Sequence, residues 1–484
     1  MPCTTLIVGR RASYNGSTMI ARNDDSPAGK FSACRFEVVK PEDQPRHYQS
    51  VISHVKVELP ENPMRYTAMP DVSGHEGIWA AAGVNAANVG MTATETITSN
   101  VRVLSADPLV RLIPAQDGKE EVPGGIGEED IVVLVLPYIH SAREGVLRLG
   151  SLLEQYGTYE SNGIAFHDAD EVWWLESVGG HHWIARKLPD DSYAVLPNQF
   201  CMDTFDLEDA FGKQENYLCS SDLREFIAEN HLDLSMDQTF NARVSFGSHS
   251  DSDHVYNTPR AWIGQKYFNP NADWSAYGPE SDDLPWCRVP EHKITPEDVK
   301  YVLSNHFQGT EYDPYEHLDG KQGKYRPIGI SRTTFMSCTE IRPDHPAETA
   351  ALEWVCYGSN VFNAFVPFFT QTDSVPEYLG NTTKTVSTDN FYWASRLIGA
   401  LADSQYHACV QTIERYQAKT AIQGRILIQK YEKLAEASDH PEQILNEAND
   451  EIAAMTKKET DAVLNEVLYL VSCRMRNSYS RSDQ

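Results

Sequence analysis

Cys3 heads the run Cys3-Thr4-Thr5-Leu6-Ile7-Val8, whose β-branched and apolar residues predict a strand. Tyr14-Asn15-Gly16-Ser17 follows as turn material, and Thr18-Met19-Ile20-Ala21-Arg22 predicts the strand that returns. The return delivers Arg22-Asn23-Asp24-Asp25 to the neighbourhood of Cys3. A loop centred near Ser13–Tyr14 sets Cys3 opposite Asp24. A tight turn at Asn15-Gly16 sets Asp25 opposite Leu6 instead. Either register brings a guanidinium and carboxylates back to the thiol.

The chemistry open to such a group is acyl transfer. A cysteine whose own α-amine is free combines nucleophile and base, because the amine has an ordinary pKa of about 8 and can accept the thiol proton. A neighbouring guanidinium favours the thiolate. A carboxylate can hold the ammonium in position. Attack on an amide then gives a covalent acyl-enzyme that water hydrolyses. Donors aimed at the developing oxyanion complete the requirement.

These residues need a frame. Further strands are predicted at 77–84, 90–96, 163–168, 171–175, 182–188 and 194–196, separated by Gly and Asn/Asp punctuation. Apolar residues at helical spacing run through 128–156, with Pro137 as a break or kink. Ser220 and Asp222 open a second helix, expected over 220–231. Thr295-Pro296-Glu297-Asp298 has the composition of a capped helix start. From about residue 386 the chain reads as almost wholly helical, first as a pair of helices and then as a third that restarts at Asp439-His440-Pro441-Glu442 and ends near Val471. The expected division is a segment 1–2 removed on maturation, a mixed domain over 3–385, and a helical region over 386–484 that packs on the core or forms a subunit interface.

Cys3-Thr4-Thr5-Leu6-Ile7-Val8-Gly9, Gly16-Ser17-Thr18 and Ala21-Arg22-Asn23-Asp24-Asp25 together resemble the opening of the C69 dipeptidase family. That family belongs to the N-terminal-nucleophile hydrolases and is similar in site to bile salt hydrolases and penicillin V acylases. The resemblance continues through Ala82-Gly83-Val84-Asn85-Ala86-Ala87-Asn88-Val89-Gly90-Met91 and Val195-Leu196-Pro197-Asn198-Gln199-Phe200. It runs on through Tyr256-Asn257-Thr258-Pro259-Arg260-Ala261-Trp262 and Tyr325-Arg326-Pro327-Ile328, and so covers most of residues 3 to about 345. It implies an α+β fold, the four-layer αββα sandwich of that superfamily. It implies Cys3 as nucleophile with its α-amine as base, Arg22 beside the thiolate, and Asp25 orienting the amine. Asn85 and Asn198 would form the oxyanion hole, and Arg260 would help stabilise the site. Asn85 and Asn198 also suit plain turns, Arg260 an ordinary surface position, and Asp24 a solvated neighbour of Asp25.

The chain departs from that pattern in beginning Met1-Pro2-Cys3. Loss of Met1 alone leaves Pro2 acylating the Cys3 amine, and a peptide nitrogen cannot serve as base. A cut between Pro2 and Cys3 is required. The thiol can supply it by attacking the Pro2 carbonyl in an N-to-S acyl shift followed by hydrolysis, or a host aminopeptidase can make it.

Bulk properties exclude other classes. The 484 residues carry a formal net charge of −28, which repels nucleic acid and anionic lipid. No apolar run approaches membrane-spanning length, and the first residues do not read as a signal peptide. Nine dispersed cysteines without a CxxC pair suggest reduced thiols and a cytoplasmic protein. There is no GxSxG elbow, P-loop or HExxH. His249-Ser250-Asp251-Ser252-Asp253-His254 reads as a solvated loop, so no metal and no cofactor is expected. The resemblance implies a dipeptide as substrate. The alternatives are a non-peptide amidase like the penicillin and bile-salt acylases, or a non-catalytic protein similar to secernins. The helical tail offers an assembly surface, and a homo-oligomer is expected.

Overall fold

The computed structural model describes residues 3–236, 239–316 and 320–475. The predicted hairpin forms from strands β1 (Thr4–Val8) and β2 (Thr18–Asp25). Thr4 pairs with Asn23 and Val8 with Met19, so the loop centres on Ser13–Tyr14 and Cys3 falls in line with Asp24. β2 runs three residues past the predicted Arg22, because Thr333–Ile341 pairs along its whole outer edge.

Two six-stranded sheets organise the chain. The first runs Tyr193–Leu196, β1, β2, Thr333–Ile341, Ala351–Tyr357, Val366–Phe369, with β2 at its centre. The second runs Tyr217–Cys219, His182–Lys187, Val172–Val178, Asn162–His167, Gly90–Thr96, Ala82–Val84. Every pairing within them is antiparallel. With the helices below, the fold is α+β.

β2 lies against the second sheet's Gly90–Thr96, Asn162–His167 and Val172–Val178. Ile7 and Ile20 of the first sheet join Ala165, Trp174 and Ile184 of the second in one apolar cluster. His167 ties the sheets: one ring nitrogen bonds Thr18 Oγ1 at 3.0 Å, the other Thr339 Oγ1 at 2.7 Å. Burial pushes its pKa down to about 3, so it stays neutral. Ile131 and Leu149, from Glu128–Val135 and Ala142–Tyr156, cover the second sheet around Trp173. The two helices are parted by a 3₁₀ turn at Leu136–Tyr138, which is where Pro137 predicted the break.

Phe391–Asp403, Tyr406–Glu436 and Pro441–Ser472 form the helical region. Their Ile398, Ile413 and Ile452 share a core with Trp354 and Val366 of the first sheet. The strand predicted at 77–84 is confined to Ala82–Val84, because Trp79 and Ala81 take positive φ values of 51° and 60° and break it. Met1 and Pro2 lie outside the described residues.

Candidate active site

Register alone aligns Cys3 with Asp24, and alternation along β2 sends Arg22 and Asp24 to one face, Asn23 and Asp25 to the other. All of these side chains are buried, and Cys3 is fully so. Arg22 Nη2 donates to Cys3 Sγ at 2.9 Å, to Asp24 Oδ1 at 2.8 Å and to Glu128 Oε1 at 3.2 Å. Cys3 Sγ lies 3.9 Å from Asp24 Oδ1. One guanidinium nitrogen is therefore shared by a thiol and two carboxylates. The guanidinium favours a thiolate beside it, and the two carboxylates oppose one.

Glu128 is the first residue of its helix, and Gly127 precedes it as the cap. Its carboxylate sits at the positive end of the helix dipole, which favours an anion there. Sequence reasoning missed it. The available signal was the acid run Glu128-Glu129-Asp130 at the start of an apolar helix. Cys3, Asp24 and Glu128 present ligand atoms within 4.8 Å of one another, as a divalent cation would require. The Arg22 nitrogen already contacts all three, so the group is built around a guanidinium.

Burial lifts the Asp24 carboxyl to about 6, opposed by Arg22 and assisted by Glu128 and Asp25. The reading of Asp24 as a solvated neighbour is corrected by its burial and its two contacts. Asp25 faces Arg326, whose Nη2 donates to Oδ2, and Thr333, whose hydroxyl donates to Oδ1 at 2.7 Å. Arg326 was noted in the sequence only as part of a motif. On the same face, Asn23 donates to the Leu303 carbonyl at 2.7 Å.

Arg260 comes from the helix Thr258–Phe268 and is fully buried, not a surface cation. It donates to the Cys3 carbonyl oxygen, to Thr4 Oγ1 at 2.7 Å and to Asn198 Oδ1 at 2.8 Å. Asn198 in turn donates to the Thr96 carbonyl at 3.0 Å. Arg260 thus links the main chain of Cys3 to Asn198. Asn85 is placed differently. Its amide donates to Leu136 and Ile139 carbonyls at 2.8 and 2.7 Å, and its oxygen accepts from Ala87 and Val89 N–H groups. The oxygen closes the 85–89 turn and both amide hydrogens are held by the Leu136 and Ile139 carbonyls, leaving neither for an oxyanion.

A cavity of about 720 Å³ reaches Asp24. Phe31, Trp79 and Trp393 line it, with Lys30 and Lys384 among its cations. The volume suits a small molecule.

The chain is 50% identical, over 532 aligned residues spanning 100% of both proteins, to a dipeptidase of Bifidobacterium longum (strain NCC 2705). It is 52% identical over 486 residues, again spanning 100% of both, to a probable dipeptidase A of Streptococcus pyogenes serotype M3. With dipeptidase A of Lactobacillus helveticus it shares 42% identity, over 97% of this chain and 95% of the other. The model of peptidase family C69 matches residues 2–419. With Cys3 seated on Arg22 and the match running through nearly the whole chain, the protein belongs to peptidase family C69.

Proposed function

We propose that the protein is a cysteine dipeptidase that hydrolyses dipeptides through a thioester on Cys3, once the chain begins at that residue. The observation that carries this is the Arg22 nitrogen 2.9 Å from the Cys3 sulfur, with Asp24 and Glu128 on the same nitrogen. The α-amine takes the thiol proton. The thiolate adds to the scissile carbonyl, the tetrahedral intermediate collapses, and the leaving amino acid takes a proton from the ammonium. Water then attacks the thioester with the amine as base again.

Asn198, oriented by Arg260, donates to the oxyanion. Asn85 is not part of this set, since its amide hydrogens are held by the Leu136 and Ile139 carbonyls. Asp25 orients the Cys3 amine from within the network that Arg326 and Thr333 hold. The fold that serves this chemistry is the αββα sandwich of the N-terminal-nucleophile hydrolases, over residues 3–385, with the helices of the following region packed on it.

Preference for dipeptides over other amides follows from reach. In an aminoacyl thioester the amino nitrogen lies roughly 3–4 Å from sulfur by ordinary bond lengths. Carboxylates within 4.8 Å of that sulfur can bond an ammonium there. A steroid or phenoxyacetyl group would set apolar atoms against the same buried acids, at a desolvation cost. The cavity's Lys30 and Lys384 suit the substrate carboxylate. Reduced thiols, with all nine cysteines free, accord with a cytoplasmic setting. Exposed Ile422 and Ile426 on one helix suit assembly into a homo-oligomer.

The test is release of amino acids from dipeptides, set beside hydrolysis of penicillin V and of a glycine-conjugated bile salt, for wild type and Cys3→Ala. The expected result is dipeptide hydrolysis alone, lost by at least about a thousandfold in the variant. Acyl-amide hydrolysis at a comparable kcat/KM would overturn the substrate assignment. An unaffected Cys3→Ala would overturn the mechanism.

A further inference from the structure

A second cavity, of about 500 Å³, lies away from Cys3. It opens between the helix Pro296–Leu303, the segment after Ala351–Tyr357, and the long helix Tyr406–Glu436. Its walls are mostly apolar, with Trp354, Phe362, Phe365 and Ile413 prominent. Two charged groups of opposite sign stand in it without an ion pair among the described residues: Lys300 and Glu414. The third, Glu297, is taken by a bidentate bond from Arg425 at 2.5 and 2.6 Å.

Lys300 is partly buried. Its ammonium donates to Ser304 Oγ at 2.7 Å and to the Asn360 carbonyl at 2.5 Å, both neutral acceptors. A partly buried ammonium with only neutral partners has unmet charge. Burial accordingly holds its pKa down to about 8. Glu414 is exposed on the long helix at the same cavity. An apolar enclosure with one cation inside and one anion toward solvent complements a small zwitterion with an apolar side chain.

We propose that this cavity binds a free apolar α-amino acid, with its carboxylate on Lys300, its ammonium toward Glu414 and its side chain against Trp354, Phe362 and Phe365. That is the chemical class of product which hydrolysis of apolar dipeptides releases. The site itself needs only the groups named here.

The test is calorimetric titration of the full-length protein with L-phenylalanine, 3-phenylpropanoate and phenethylamine, in wild type, Lys300→Met, Glu414→Gln and Ala418→Trp. Ala418 is exposed at the cavity's edge, so a tryptophan there closes the opening without entering the core. Phenylalanine should bind wild type. Lys300→Met should weaken phenylalanine and phenylpropanoate by tenfold or more and leave phenethylamine unchanged, and Glu414→Gln should weaken phenylalanine and phenethylamine but not phenylpropanoate. Ala418→Trp should abolish phenylalanine binding while dipeptide hydrolysis keeps its kcat/KM. Absence of phenylalanine binding, binding that survives Ala418→Trp, or equal affinity in Lys300→Met would each overturn the proposal. So would loss of phenylalanine binding as rising protein concentration drives self-association, since the cavity would then be a subunit contact. If Lys300→Met does not fold, Glu414→Gln and Ala418→Trp still decide the matter.

Discussion

At the scale of single residues, Cys3, Arg22 and the acids after it could be placed together from a strand, a turn and a returning strand. Two registers were open, and the observed one selects Asp24 as the acid at the sulfur. Glu128 was not legible, because its approach to Arg22 depends on how a helix of the second sheet's cover is packed. The surroundings of Asn85 were not legible for a related reason: an Asn before a turn looks the same whether its amide faces solvent, substrate or main-chain carbonyls. Asp24 supports a prediction about pH. Its folded-state pKa of about 6 lies above the ordinary value of about 4, so the folded chain binds that proton more tightly than the unfolded chain does. Its contribution to stability is present below pH 4 and is lost as pH rises to about 6. Chemical denaturation across that window should therefore show Asp24→Asn gaining on wild type with rising pH and then running parallel above 6. In kcat/KM profiles the wild type should lose activity below pH 6 as Asp24 protonates, and Asp24→Asn should lack that limb.

Elements were read with uneven success, and the pattern has a physical basis. The hairpin that returns Arg22 to Cys3, the capped helix at Thr295 and the break at Pro137 carry local signals, and they appear where expected. Thr333–Ile341, Ala351–Tyr357 and Val366–Phe369 went unread although they make up half of the sheet that holds Cys3. Every residue in them is buried, so the alternation that marks a half-exposed strand is missing. The helix Pro296–Leu303 links this scale to the site, since its Leu303 carbonyl accepts from both Asn23 and Asn360. Thr295 caps it, accepting from the Asp298 N–H at 3.2 Å, with Asp298 bonding back to the Thr295 N–H at 2.9 Å. Thr295→Ala should cost about 1 kcal/mol in urea denaturation and change kcat less than twofold. A much larger loss of kcat would mean that this helix does more than support β2.

For the whole molecule, residues 391–472 behave as part of one core with the first sheet, since Ile398, Ile413 and Ile452 pack with Trp354 and Val366. A chain ended after residue 385 should expose that surface and accumulate as insoluble protein, which fractionation of expressed material would show. A soluble, cooperatively melting fragment would contradict the shared core. The central claim is that Cys3 acts as an N-terminal residue, with its own amine as base. The direct measurement is the intact mass of active protein purified from its host, next to that of Cys3→Ala. If the thiol cuts the chain itself, the wild type should begin at Cys3 and the variant should still carry Pro2. Wild-type protein that retains Pro2 and yet hydrolyses dipeptides would contradict the account.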